Sequence, residues 1–279
     1  MIKSYCKINL SLRVLKKLNN GFHNIQSTAV LVNLHDEITV KTIKKKYDII
    51  TFNGKFKKDV NIKKNSIINV LRLLRSKNLI KKNTFYKISI NKKIPVFSGL
   101  GGGTSNAAFL IKYFVKKNDI EKKMGIFTNY IGSDLRLFFH NQSFQKSLKN
   151  VKEFKKKYNL HFIIIYPNIK CSTKHIYSKI KKFSKTSKIN FANINRKSFF
   201  IELIKKEKND LETISSSIQP EIKKIISFLS FQKGCYLSRM TGSGSACYGM
   251  FKSQKLAKLG IKKIKKKFPK YWAAVTKTI

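Results

Sequence analysis

Apolar and polar residues alternate near the start of the chain, where Ile8, Leu10, Leu12 and Val14 interleave with Lys7, Asn9, Ser11 and Arg13. That period of two predicts a strand with one apolar face. It returns at residues 86–91, and residues 38–40 and 47–52 predict two more strands, the second running into Asn53-Gly54, a hairpin signal. Helical spacing appears in Ile67, Ile68, Val70, Leu71 and Leu74, with Ser66 as the predicted cap. It appears again in Ala107, Ala108, Leu110, Ile111 and Phe114, followed by a short helix and the segment 130–139. Later, residues 162–166 form an unbroken apolar run halted by Pro167, the mark of a fully buried strand. Pro220 opens a helix bearing Ile222, Ile225, Ile226 and Leu229. Residues 235–239 and 246–251 predict two strands joined by Thr241-Gly242-Ser243-Gly244-Ser245; a basic helix starts near Ser253 and a last strand covers 272–276. Asn19-Asn20-Gly21 reads as a turn. No repeats occur, and the irregular mixing of strands and helices favours an α+β fold over a doubly wound sheet. The lysine-rich stretch near residue 155 is the candidate domain boundary, dividing 1–155 from 156–279.

Between the strand at 86–91 and its following helix lies Pro95-Val96-Phe97-Ser98-Gly99-Leu100-Gly101-Gly102-Gly103-Thr104-Ser105, which holds four of the 13 glycines within five residues. Backbone without side chains lets N–H groups crowd round an anion, and a helix N-terminus adds unpaired donors and the positive end of its dipole. Thr104 and Ser105 offer a cap, or hydroxyls for a phosphate or its magnesium. The segment lacks the Gly-Lys-Ser/Thr ending of a Walker loop and the Gly-x-Gly-x-x-Gly dinucleotide pattern. On its own it is either a phosphate cradle or a flexible entry to a core helix.

The formal charge of +47 raises the question of nucleic acid. Six arginines leave 54 of the 60 basic residues as lysine, and the lysines are dispersed in short runs. Lys, Asn, Ile and Phe abound while Arg, Gly, Pro and Ala are scarce, the imprint of A/T-rich codons. A recognition surface would favour the bidentate arginine fork, so no specific nucleic-acid partner is expected, only weak binding to RNA or anionic lipid at low salt. Cys6, Cys171, Cys235 and Cys247 have no paired spacing, the five histidines form no metal pattern, and no apolar run nears the roughly 20 residues of a membrane span. A cytoplasmic protein without a membrane partner or a resident metal is expected.

Only 13 carboxylates are available as acid or base. Asp119, Glu121, Glu153, Glu202 and Glu207 sit among lysines as solvated partners, while Asp36, Glu37 and Asp48 lie near strand ends. Asp134, in Ile131-Gly132-Ser133-Asp134-Leu135, stands in apolar surroundings, either as a cap or as a working group. Lys7 and Asn9 share a strand face that is either solvent-exposed or lines a cleft; the loop at 241–245 is either a hairpin turn or a further set of donors.

Lys7-Ile8-Asn9-Leu10, the loop Gly99–Ala108 and Met240-Thr241-Gly242-Ser243-Gly244-Ser245-Ala246, in that order, resemble the GHMP kinase superfamily of galactokinase, homoserine kinase, mevalonate kinase and phosphomevalonate kinase. Asn20-Gly21-Phe22-His23 and Gly132-Ser133-Asp134 resemble the branch acting on a cytidine diphosphate-linked methylerythritol. The resemblance implies a two-domain α+β fold with its active site in the cleft between the domains, and an ATP-dependent kinase using magnesium. It implies that Asp134 takes the proton of the attacking 2-hydroxyl and that Lys7 holds and neutralises the reacting groups. Residues 95–105 would cradle the phosphates, His23 would read the cytosine edge between Phe22 and Tyr177, and Asn9 and Thr173 would contact substrate. Phe22 stands where the family usually has tyrosine and Arg136 where it has proline; Phe144-Gln145-Lys146-Ser147 replaces a glycine-rich stretch. The rival readings are another kinase of the superfamily, acting on mevalonate, homoserine or a sugar, and a basic nucleic-acid-binding protein on a degenerate kinase fold.

Overall fold

The computed structural model describes every residue except Asn20, so the centre of the predicted 19–21 turn lies outside the described residues. The chain forms two compact units interleaved in sequence: Met1–Cys6, Leu34–Val96 and Gly101–Phe139 make the first, and Lys7–Asn33, Phe97–Leu100 and His140–Ile279 the second. Two long strands, β1 (Ile2–Lys17) and β2 (His23–Ile43), contribute residues to both.

In the first unit the distal half of β2 pairs antiparallel with β4 (Phe85–Asn91), from Glu37 opposite Asn91 to Ile43 opposite Phe85. The intervening β3 (Ile49–Asn53) lies parallel to β4. Asn53-Gly54 therefore does not close a hairpin. A parallel return needs a crossover, and α1 (Ser66–Ser76) supplies it by burying Ile67, Val70, Leu71 and Leu74. Each of those side chains gains about 2 kcal/mol on burial, far more than a two-residue turn offers. Gly54 is needed for a different reason: its φ is left-handed at 85°, and a Cβ there would lie 2.7 Å from the Lys92 carbonyl oxygen. The cap of α1 is Asn65 rather than Ser66; its side chain accepts from the N–H groups of Ile67 and Ile68. Arg75, near the end of α1, makes a bidentate ion pair with Asp48 at 2.6 and 2.8 Å. The loop then leads into α2 (Gly102–Phe114) and α3 (Lys117–Ile131), which is longer than the short helix expected, and a 3-10 turn (Ser133–Phe139).

In the second unit the proximal half of β2 pairs with β5 (Gln142–Gln145), and β5 with β6 (Val151–Glu153). A separate antiparallel sheet contains β7 (His161–Tyr166), followed in the chain by helices α4 (Thr173–Ser178), α5 (Lys197–Lys206), α6 (Asp210–Ile218) and α7 (Glu221–Ser230). The remaining elements are β8 (Cys235–Met240), β9 (Cys247–Phe251), α8 (Gln254–Lys267) and β10 (Trp272–Lys277), and the sheet order is β10-β7-β9-β8. The predicted strand pair round the second glycine loop is the β8–β9 hairpin. Ile163 and Ile165 of β7 pack with Ile222, Ile225 and Leu229 of α7, Ala257 and Ile264 of α8, and Leu12 and Val14 of β1. The fold is α+β, as the mixed pattern predicted.

Candidate active site

Strand β1 is buried on both faces from Cys6 to Leu12, so the polar face carrying Lys7 and Asn9 does not meet solvent. Buried polar groups need partners, and these have them. The Lys7 ammonium donates to Asn9 Oδ1, and its backbone N–H donates to the Leu100 carbonyl at 3.1 Å. Asn9 donates from Nδ2 to Ser27 Oγ at 2.8 Å and from its backbone to Thr241 Oγ1 at 3.0 Å. The face lines a built polar interior in the second unit.

The glycine loop is shaped by three left-handed residues, Phe97 (φ 57°), Gly99 (φ 79°) and Gly101 (φ 71°). Gly99 permits no side chain, because a Cβ would sit 2.1 Å from the Thr241 carbonyl oxygen. The second loop thus lies backbone against backbone on the first. The Ser98 carbonyl accepts from Ala246 N–H at 3.0 Å, and the Phe97 carbonyl from Cys171 N–H at 3.3 Å. The exposed Phe97 ring lies under the Lys170 ammonium, 5.9 Å from its centroid.

In the first unit, buried Pro95 and half-buried Val96 follow an ion pair between Asp36 and Lys92 that is fully enclosed. Asp36 also accepts from the N–H groups of Lys93 (2.8 Å) and Ile94 (2.9 Å), which fixes the chain before the loop. Such a pair tolerates burial because its carboxylate is satisfied by several donors. Gly101 is the N-cap of α2, so neither Thr104 nor Ser105 caps it. The Ser105 hydroxyl is spent on the Tyr5 carbonyl (2.5 Å) and the Ser4 hydroxyl (2.7 Å), leaving half-buried Thr104 as the hydroxyl of that turn. The first N–H groups of α2 have no intrahelical acceptor. Asp134, half-buried, is the second residue of the 3-10 turn that Ser133 opens after Gly132, whose φ is 140°. Arg136 is pulled below its ordinary pKa by burial, and its Nε finds no hydrogen-bond acceptor among the described residues.

Back in the second unit, His23 and Tyr177 meet with ring centroids 4.9 Å apart and a 40° tilt, while Phe22 beside them is exposed. Burial, then the nearby Lys17 charge, lower the His23 pKa and favour the neutral imidazole. Thr173, in the first turn of α4, shares a 2.9 Å hydrogen bond with Ser243 of the second loop. Lys7, Asn9, residues 97–100, Thr173 and the second loop are thus joined by direct contacts within one unit, and His23 with Tyr177 forms a second group there. Asp134, Pro95, Val96 and residues 101–105 belong to the other unit.

Two features escaped the sequence reading. Glu207, expected to be solvated, is buried and grips Arg13 through both oxygens at 2.8 and 3.0 Å. Flanking lysines concealed this, because its true partner lies 194 positions away. Arg239 is buried too, donating to the carbonyls of Leu10 and Glu207. Among the described residues all four cysteines are free, no three His, Cys, Asp or Glu side chains gather as a metal cage, and no helix is long and apolar enough to cross a membrane.

Two family models place the chain in a class. That for the GHMP kinases N terminal domain matches residues 65–125, and that for the GHMP kinases C terminal matches 194–270. Solved structures share the fold: a 4-(cytidine 5'-diphospho)-2C-methyl-D-erythritol kinase at TM-score 0.72 and 19% identity, covering 99% of this chain and 98% of that one. The homoserine kinase of Cytophaga hutchinsonii follows at TM-score 0.65 and 18% identity, covering 100% and 96%. Sequence relatives narrow the class. The 4-diphosphocytidyl-2-C-methyl-D-erythritol kinase of Pelagibacter ubique is 38% identical over 100% of this chain and 98% of its own length. Its counterpart in a Wolbachia of Drosophila simulans is 31% identical over 100% of both. The chain belongs to the GHMP kinases and, among them, to the 4-diphosphocytidyl-2-C-methyl-D-erythritol kinase family. It is an ATP-dependent small-molecule kinase.

Proposed function

We propose that the acceptor is 4-diphosphocytidyl-2-C-methyl-D-erythritol and that the chain phosphorylates its 2-hydroxyl in the non-mevalonate route to isoprenoid precursors. The observation that carries this reading is the 38% identity to a kinase of that name over the whole chain. The neutral His23 ring beside Tyr177 supports it, because imidazole and phenol offer a stacking face and a polar edge for a pyrimidine. We read residues 1–155 and 156–279 as the two kinase domains, since one family model falls within each range.

In this reading the 2-oxygen attacks the γ-phosphorus of ATP, the bond from that phosphorus to the β–γ bridging oxygen breaks, and ADP leaves. Asp134 receives the hydroxyl proton, while Lys7 and Asn9 position the acceptor and Lys7 offsets the charge that develops. Phosphoryl transfer rests mostly on such positioning and electrostatics. The loop at residues 95–105 holds the phosphates through the backbone N–H groups of its glycine-rich part, with Phe22, His23, Thr173 and Tyr177 on the cytidine side. Magnesium is chemically suited to arrive with the ATP phosphates rather than in a protein cage; the Thr104 hydroxyl is the side chain of the first α2 turn suited to face it, and the ion neutralises phosphate charge.

The test compares ATP turnover with the cytidine compound, mevalonate and homoserine. Turnover with the cytidine compound alone is expected; preference for mevalonate or homoserine overturns the substrate. A folded Asp134→Asn protein is expected to lose on the order of 10²–10⁴ in kcat, the usual worth of a general base. Full turnover in that variant removes Asp134 from the role.

A further inference from the structure

Residues 209–212 read Asn-Asp-Leu-Glu, and each polar side chain in the run seizes a different piece of backbone. Asn209 caps α6 by accepting from Leu211 N–H at 3.1 Å. Its Nδ2 donates to the carbonyls of Met240 (2.9 Å) and Gly242 (2.8 Å) in the second glycine loop. Asp210 accepts from Val14 N–H of β1 at 2.8 Å, and Glu212 accepts from Met240 N–H at 2.7 Å. The Lys208 carbonyl accepts from Leu12 N–H at 2.9 Å, and Ser215 donates to the Ser243 carbonyl at 3.2 Å. One short segment therefore ties the strand that carries Lys7 to the loop packed against Lys7. The closeness of that packing is measurable: a Cβ on Gly242 would lie 2.8 Å from the Gly99 oxygen and 3.3 Å from Lys7 Nζ.

Asn209 is buried, and its two N–H donors serve two loop carbonyls while its oxygen serves the helix. No other side chain of that size does all three. A carboxylate has no donors, and a hydroxyl has one. We propose that Asn209 is a positioning residue for the phosphoryl-transfer site: it fixes the second loop, and through Gly242 the placement of the Lys7 ammonium and of Gly99. It touches no reactant itself. The inference rests on the reading of Lys7 as the cation at the reacting hydroxyl.

The test uses Asn209→Ser and Asn209→Asp in the full chain. Serine caps a helix about as well as asparagine, so Asn209→Ser is expected to stay folded. Its kcat is expected to fall about 10- to 100-fold, the range that small misplacements of reacting groups produce, with both KM values within about threefold of the parent. Asn209→Asp is expected to fall further, because its carboxylate would face two carbonyl oxygens. Amide hydrogen exchange at Gly242 and Gly244 is expected to speed up, with β10 unchanged. A folded Asn209→Ser protein with parental kcat overturns the proposal. So does a loss of kcat that disappears when assays run well below Tm, because that loss reports only the unfolded fraction. A parent inactive on every acceptor overturns the substrate reading instead; hydrogen exchange then decides alone, and unchanged rates at Gly242 and Gly244 end the proposal.

Discussion

At the scale of single residues, two amides on strands that each pair with β2 have opposite fates. Asn9 is buried with its side-chain oxygen and nitrogen both engaged. Gln145 is fully buried opposite Ser27, yet neither end of its amide meets a hydrogen-bond partner among the described residues. An enclosed polar group without a partner opposes folding, and an apolar replacement of similar shape removes that cost. Gln145→Leu is therefore expected to keep the parental Tm or raise it by a few degrees, read by thermal unfolding; a drop of more than about 5 °C, roughly 1–3 kcal/mol in a chain of this size, overturns the expectation. The pairing of Lys7 with Asn9 was legible in the sequence, because residues two apart on a strand share a face. That the face points inward was not, because its partners Ser27, Leu100 and Thr241 arrive from remote parts of the chain. Glu207 hid for the same reason. A carboxylate beside lysines looks solvated until the fold shows whether an ammonium, a guanidinium or backbone N–H groups surround it.

At the scale of elements, apolar periodicity located helices well and their ends less well. The stripe of α1 was read correctly, but its cap moved by one residue. Asn65 has the extended backbone of an N-cap (φ −148°), and its side-chain oxygen takes two N–H groups. Asn65→Ala is expected to cost about 1 kcal/mol, and Ser66→Ala to change stability by no more than a few tenths in either direction, in denaturant titrations. The reverse order would restore Ser66 as the cap. The failed hairpin at Asn53-Gly54 has a related cause. A turn signal reports local backbone preference, and Gly54 does adopt a left-handed conformation, but it carries no information on which strand the chain joins next. The β8–β9 hairpin was legible because two apolar strands flank a short glycine loop and nothing long enough to cross over intervenes.

Across the whole molecule, three histidines make stability depend on pH in the mildly acid range. His23, His35 and His161 are each held below the ordinary 6.5, chiefly by burial and secondarily by lysines. Below pH 6.5 the unfolded chain binds protons that the folded chain does not yet accept, so stability falls with pH through that window and levels off once the folded groups titrate. Tm is expected to decline between pH 7 and pH 5.5, and substitution of the three histidines by glutamine to flatten that decline. A flat profile in the parent overturns the assignment. The +47 charge, by contrast, was legible in full and says little about the site, because its lysines are spread along the whole chain. The kinase class was legible because three short motifs keep their order over the chain, a constraint that neither composition nor periodicity supplies.

The interleaving of the two units also bears on synthesis. Residues 7–33 belong to the second unit, whose other main part begins at His140. At translation rates of 5–20 residues per second, β1 and the first half of β2 leave the ribosome roughly 5–20 s before β5 exists to pair with them. During that wait β1 has β2 to pair with, but Leu12 and Val14 on its apolar face lack the β7, α7 and α8 side chains they finally pack against. The strand that carries Lys7 is thus among the first made, while the packing of its residues Leu12 and Val14 is completed only once the end of the chain, with α8, has emerged.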